Sequence, residues 1–141
     1  MVRIEPNLLD EILNSNGDVL DQLMNKEISR VDFSDSDMSS TIPYSELAAF
    51  AENPQHPFCF LFSDGNVLID NYEWNYGPPV YLDEDETANM AHLFTQYLKE
   101  ADPDWTPEQG TQTSKHWQVR IVQQFLTQAS QDNKMVILGV Q

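Results

Sequence analysis

Residues 83–98, which read DEDETANMAHLFTQYL, decide the fold class of this chain. Side chains that suit a buried stripe recur there with helical spacing, at Thr87, Met90, Ala91, Phe94, Tyr97 and Leu98. Four acids at Asp83–Glu86 precede the stripe, where the dipole of a helix favours negative charge. The stretch therefore predicts a long amphipathic helix that begins with an acidic turn.

The chain after this helix predicts a loop, a second helix and a strand. Residues 102–114 are polar, contain two prolines and read as a loop. A second apolar stripe with helical spacing follows, at Trp117, Ile121, Val122, Phe125, Leu126 and Ala129. The run Met135–Val140 is apolar throughout and predicts a buried C-terminal strand.

The first half of the chain predicts three short helices. Pro6 suits the first turn of one helix, and Asn14–Gly17 is a stop signal after it. Asp18 is a candidate cap for a second helix. A Ser- and Asp-rich stretch, 32–41, reads as a loop, and Pro43 then begins a third helix that ends before Asn53-Pro54.

The middle of the chain predicts a β-hairpin at about 58–70. The apolar runs Phe58–Phe62 and Val67–Ile69 flank Asp64-Gly65, a strong signal for a two-residue hairpin turn. Cys59 is then expected to be buried in a central strand. Together these elements predict the α+β class, as a single domain over residues 1–141. Its central antiparallel or mixed sheet would contain the hairpin and the C-terminal strand, flanked by about five helices.

The charge of the chain is strongly negative and unevenly distributed. There are 23 Asp and Glu residues against 7 Lys and Arg, which gives a net charge of -16 at pH 7. No Lys or Arg lies within residues 31–98, which hold twelve of the acids. This excludes nucleic-acid binding through a basic patch and argues against an anionic membrane surface. We expect a partner protein with a basic surface.

Residues that typically hold metals or nucleophiles are sparse. One cysteine excludes an internal disulfide and a Cys-rich zinc site, and the three histidines share no metal-ligand spacing. No phosphate-binding loop or nucleophile elbow is present, so no cofactor is expected. No apolar run approaches the roughly 20 residues that span a bilayer. With no secretory leader in its opening residues, the chain is expected in the cytoplasm.

Residues 35–46 resemble a calcium loop. Five oxygen-bearing residues occupy positions 1, 3, 5, 7 and 12 of an EF-hand register: Asp35, Asp37, Ser39, Thr41 and Glu46. Ser40 stands where such loops need glycine for a sharp turn, and Pro43 stiffens position 9. The pattern favours a loop that leads into the third helix, and a single calcium site is the alternative.

The segment from Asp70 to Tyr81 is the candidate partner-binding surface. It combines acids with aromatic residues, which are enriched in binding hot spots. The residues assigned to partner binding are Asp70, Tyr72, Glu73, Trp74 and Tyr76. Two alternatives remain: the aromatics cover the sheet beneath the long helix, or they line the pocket of a small enzyme. No base and nucleophile pair can be named for an enzyme.

Three segments resemble the YfbM-like family of bacterial proteins of unknown function. They are Val2–Leu13, then Tyr76–Leu82 with the acidic helix after it, and Gln124–Val140. The resemblance implies an α+β domain in a bacterial cytoplasm, with no assigned reaction and no catalytic residues. The sequence as a whole favours binding over catalysis. It indicates an acidic interaction module, of which an immunity protein that neutralises a basic toxin is one instance. The oligomeric state stays open.

Overall fold

An antiparallel sheet of five short strands forms the centre of the fold. The structure is a computed structural model that describes residues 1–24, 32–33, 52–54, 56–63, 66–69 and 78–139. In chain order the strands are β1 (Val2–Ile4), β2 (Asp32–Phe33), β3 (Asn66–Val67), β4 (Val80–Leu82) and β5 (Met135–Leu138). Their order across the sheet is β2-β1-β5-β4-β3, so the last strand in sequence lies in the middle.

Five α-helices accompany the sheet in the described part of the chain. They are α1 (Pro6–Asn14), α2 (Asp18–Met24), α3 (Pro57–Ser63), α4 (Glu84–Ala101) and α5 (Trp117–Gln131). Two single 3-10 turns, Pro107–Gln109 and Thr111–Thr113, connect α4 to α5. The predicted α+β class is therefore confirmed, as are the long helix and the C-terminal strand.

Strand β5 is buried on both faces because helices cover both faces of the sheet. Met135 and Ile137 pack with Val2 and Ile4 of β1 against α1 and α2, through Leu8, Ile12, Leu20 and Leu23. Val136 and Leu138 point to the opposite face, against a second layer formed by α3, α4 and α5. The two apolar clusters are thus separated by the sheet, and all four residues of β5 are buried.

The ends of the helices follow the local sequence. Asp83 caps α4: its Oδ1 accepts the backbone N–H of Glu86 at 2.8 Å, while Glu86 Oε2 accepts the N–H of Asp83 at 2.9 Å. Between α1 and α2 the backbone turns through Gly17, whose φ of 102° favours glycine. Asp18, predicted as a cap, is instead the first residue of α2, and the Ser15 hydroxyl accepts the N–H of Val19 at 3.1 Å.

The predicted hairpin at about 58–70 is wrong, because Pro57–Ser63 forms helix α3. Phe58 and Leu61, three residues apart, both face α4 and α5 and are buried, so the run packs with helical rather than alternating spacing. Cys59 consequently lies half-buried on a helix instead of in a central strand. Strand β3 pairs with β4, with Asn66 opposite Tyr81.

Two further predictions concern residues 32–51. Asp32 and Phe33, assigned to a loop, form β2 and pair with β1 at the edge of the sheet. The predicted helix from Pro43 to residue 51 lies outside the described residues.

Candidate functional site

The site residues predicted from the sequence lie outside the part of the chain that the structure describes. This holds for the partner-binding set, Asp70, Tyr72, Glu73, Trp74 and Tyr76. It also holds for the alternative calcium ligands, Asp35, Asp37, Ser39, Thr41 and Glu46. Of the aromatic segment, the described Tyr81 is half-buried on β4 and packs against the apolar cluster beneath α1 and α2.

A polar network that sequence reasoning missed joins the end of α4 to the start of α5. Arg120, in the first turns of α5, donates from Nε to Ser114 Oγ at 2.8 Å. Its Nη2 lies 3.2 Å from both Oδ2 and the backbone carbonyl oxygen of Asp102, the residue that directly follows α4. The Ser114 hydroxyl in turn donates to Asp102 Oδ2 at 2.5 Å. These three residues thus fix the path of the connection between the helices.

Trp105 covers the buried cation of this network. The guanidinium carbon of Arg120 lies 3.7 Å from the centroid of the indole ring, which is a cation–π arrangement. The ring is held in turn by a hydrogen bond from Nε1 to the carbonyl of Gly110 at 3.1 Å. Gly110 has a φ of 80°, so a side chain at this position would strain the backbone that presents the carbonyl.

The network keeps Asp102 ionised and Arg120 paired. The hydrogen bond from Ser114 lowers the pKa of Asp102 below its ordinary value, and the bonds from Arg120 lower it further. Arg120 is only 7 % exposed, and a buried cation is costly unless it is paired and hydrogen-bonded. Ser114 is also buried, and the carboxylate to which its hydroxyl donates is a weak base because its pKa is lowered, so the hydroxyl lacks the access and the activation that a nucleophile needs.

A groove of about 520 Å³ lies beside the network, between α4, α5 and the connection that links them. Its volume is in the range of small-molecule sites. Apolar, amide and charged side chains line it together: Thr95, Leu98, Lys99, Asp102, Pro103, Trp105, Pro107, Arg120, Gln123 and Gln124. The groove therefore combines apolar walls with two cations, one buried and one exposed.

A second buried polar group, His56, lies between α3 and α4. Its ring centroid is 5.3 Å from that of Phe58 and 4.7 Å from that of Tyr97. Burial lowers the pKa of His56 to about 4, and the nearby His116 contributes to the shift. His56 is therefore neutral at pH 7, and its Nδ1 accepts the backbone N–H of Phe58 at 3.3 Å.

The surface of the described residues is strongly acidic. Twelve Asp and Glu residues are exposed there: Glu5, Asp10, Glu11, Asp18, Asp21, Glu52, Glu84, Asp85, Glu100, Asp104, Glu108 and Asp132. Over the same residues only Lys99 and Lys115 are exposed cations. The other three described cations bind carboxylates of the same chain, in the pairs Arg3–Asp132, Arg120–Asp102 and Lys134–Glu5.

The described residues contain no cluster of three or more His, Cys, Asp or Glu side chains that could hold a metal ion. Within the same ranges, no helix has the length and apolar character needed to cross a membrane. In the comparisons with known proteins, no family model matches the chain, and no match was found among the curated proteins or the solved structures.

Proposed function

We propose that this chain is an acidic, cytoplasmic protein-interaction module that binds a protein with a basic surface and uses no cofactor. One observation carries the proposal: the described surface exposes twelve carboxylates and two lysines. A surface of one sign creates a long-range field that attracts partners of the opposite sign. Such complementarity speeds association and discriminates among partners.

The internal ion pairs strengthen this argument. Arg3 and Lys134 are each half-buried and lie against carboxylates of the same chain, and Arg120 is buried with Asp102. Three of the five described cations are therefore used within the fold, and two of the twelve exposed acids, Glu5 and Asp132, are paired with them. Within residues 31–98, the exposed Glu84 and Asp85 at the start of α4 present a negative surface that a basic partner would neutralise.

The proposed binding surface lies within residues 31–98 and includes Asp70, Tyr72, Glu73, Trp74 and Tyr76. The acids would steer the partner, and the aromatics would supply contact area after encounter. An immunity protein that neutralises a basic nuclease is one instance of this class. Membership of the YfbM-like family, and with it a bacterial origin, stays a prediction alongside this proposal.

The experiment begins with capture of a partner on the immobilised chain at low salt, followed by association kinetics with that partner. Raising the salt from about 0.1 M to about 1 M shortens the Debye length from about 10 Å to about 3 Å. We expect the association rate to fall steeply, while the dissociation rate changes less.

Two matched charge reversals locate the binding surface. Asp70→Lys with Glu73→Lys should lower the association rate more than Asp10→Lys with Glu11→Lys, which reverses two exposed acids of α1. Each pair changes the net charge by the same amount, so a difference between them reports position. An association rate that does not depend on salt, or an equal loss in both variants, would contradict the proposal.

A further inference from the structure

We propose that the groove between α4 and α5 is a binding site for a small carboxylate with an apolar body. Two helical faces and one connection build this site. Lys99 and Leu98 lie on the face of α4 that faces α5, and Arg120 and Gln123 lie on the matching face of α5. Trp105, from the connection, also lines the groove. This inference does not depend on the acidic surface proposed above.

The guanidinium of Arg120, which lines this groove, keeps one donor that no described residue uses. Its Nε and Nη2 are used by Ser114 and Asp102, whereas no hydrogen bond within the described ranges involves Nη1. Nη1 is not fully buried, so it retains contact with solvent. A side chain that is 92 % buried (8 % exposed) thus keeps one donor nitrogen accessible in a groove that it lines.

Lys99 supplies a second positive charge at the rim. It is exposed, lines the groove and makes no ion pair or hydrogen bond with any residue that the structure describes. The carboxylate of Asp102 also lines the groove, but it is bound by Ser114 and Arg120. The groove therefore holds two cations against one carboxylate that already has partners, in a chain of net charge -16.

These groups select the class of ligand. A guanidinium nitrogen and an ammonium group bind carboxylate oxygens through short, charge-assisted hydrogen bonds. Leu98, Pro103, Pro107 and the indole of Trp105 offer apolar contact to the rest of the ligand. The exposed acids Glu100, Asp104 and Glu108 are adjacent in sequence to the lining residues Lys99, Pro103 and Pro107, and their charge disfavours a multiply charged anion. A monocarboxylate with a ring or short aliphatic body fits these properties, and inorganic phosphate does not.

The test is an NMR titration with benzoate, its neutral isostere benzamide, and inorganic phosphate. We expect benzoate to shift the amide signals of Lys99 and Gln123 and the indole N–H of Trp105 in a saturable manner. The expected Kd is on the order of 1 mM. Benzamide lacks the charge but keeps the ring, so its affinity should be lower by about tenfold, because charge-assisted bonds are roughly twice as strong as neutral ones. Phosphate should leave these signals unchanged.

Two lysine variants provide a matched control. Lys99→Gln should weaken benzoate binding by about fivefold or more, the expected consequence of losing one charge-assisted bond. Lys115→Gln removes the other exposed lysine of the described surface and should leave binding unchanged. Equal affinity for benzoate and benzamide, equal effects of the two variants, saturable phosphate binding, or shifts confined to residues outside the groove would each overturn the proposal.

Discussion

The guanidinium carbon of Arg120 lies 3.7 Å from the centroid of the Trp105 ring, so an aromatic face covers the most deeply buried cation of the described chain. The two residues belong to different elements, α5 and the connection after α4, and Ser114 and Asp102 bind the edge of the same guanidinium. The Arg120 side chain therefore links Asp102, at the start of that connection, to Ser114, near its end.

Replacing Arg120 should destabilise the fold. Arg120→Met removes the bonds to Ser114 and Asp102 and the contact with Trp105, while a long apolar side chain remains. Hydrogen bonds to charged groups contribute about 1.5–3 kcal/mol, so we expect the free energy of unfolding to fall by about 2 kcal/mol in urea denaturation. Lys115→Met, at an exposed position, should stay within about 0.5 kcal/mol of the wild type. Equal stability of the two variants would show that the network contributes nothing.

The cap of α4 should be measurable as well. Asp83→Ala removes the acceptor for the Glu86 N–H and breaks the reciprocal pair, which should cost about 1 kcal/mol of stability. Asp85→Ala removes an exposed acid of the same first turn that caps nothing, and its effect should be smaller. The comparison is made by urea denaturation at pH 7. A larger loss in Asp85→Ala would contradict the assignment of the cap.

Acidification should destabilise the protein through His56. The folded-state pKa is about 4 and the ordinary value is 6.5, so the unfolded chain binds the proton first as the pH falls. Stability is therefore complete above about pH 6.5 and declines as the pH falls towards 4. The expected loss is on the order of 2–3 kcal/mol. Asp102, whose pKa is lowered below its ordinary value of 3.8, loses its contribution only at lower pH.

Variants at two histidines separate this effect from general acid denaturation. His56→Gln should flatten the stability profile between pH 6.5 and 4, the interval between the two pKa values. His92→Gln, at an exposed position on α4, should keep the profile of the wild type. The measurement is urea denaturation across this range. An unchanged slope in His56→Gln would contradict the prediction.

Cys59 should react with thiol reagents in the folded protein. It lies half-buried on α3, with its Sγ 3.1 Å from the carbonyl of Asn53, and not in the interior of the sheet. Labelling in native buffer should therefore proceed without global unfolding, at a rate that low denaturant concentrations barely change. A labelling rate that follows the population of unfolded chain would contradict this prediction.

Calcium should leave the stability of the protein unchanged. Ser40 stands where an EF-hand loop has glycine, and the sequence contains no second EF-hand pattern that could pair with residues 35–46. A site in the presence of free calcium at 100 times its Kd would stabilise the fold by about 2.7 kcal/mol, which would raise the Tm by several degrees. We expect no such rise in millimolar calcium. Its appearance would favour the calcium alternative.

Helix α4 was predictable because its stripe of buried side chains persists over several turns, from Thr87 to Leu98. The helix over residues 58–62 was not predictable, because five consecutive apolar residues show neither helical nor alternating periodicity. Burial of Phe58 and Leu61 against α4 and α5 decides that the segment is helical. The Arg120 network could not be predicted either, because Asp102, Ser114 and Arg120 are separated in sequence by loop residues. Its one signal was Arg120 itself, the sole charged residue in 117–131.

The central position of β5 has a consequence for how the chain acquires its fold. Val2 pairs with Ile137, 135 positions further along the chain, and β4 pairs with the opposite edge of the same strand. During synthesis β1 and β4 therefore have no strand between them until residue 138 has left the ribosome. Pairings so distant in sequence form slowly, because loop-closure entropy opposes them. The nascent sheet would expose open edges until then, which is the interval in which a chaperone would be needed.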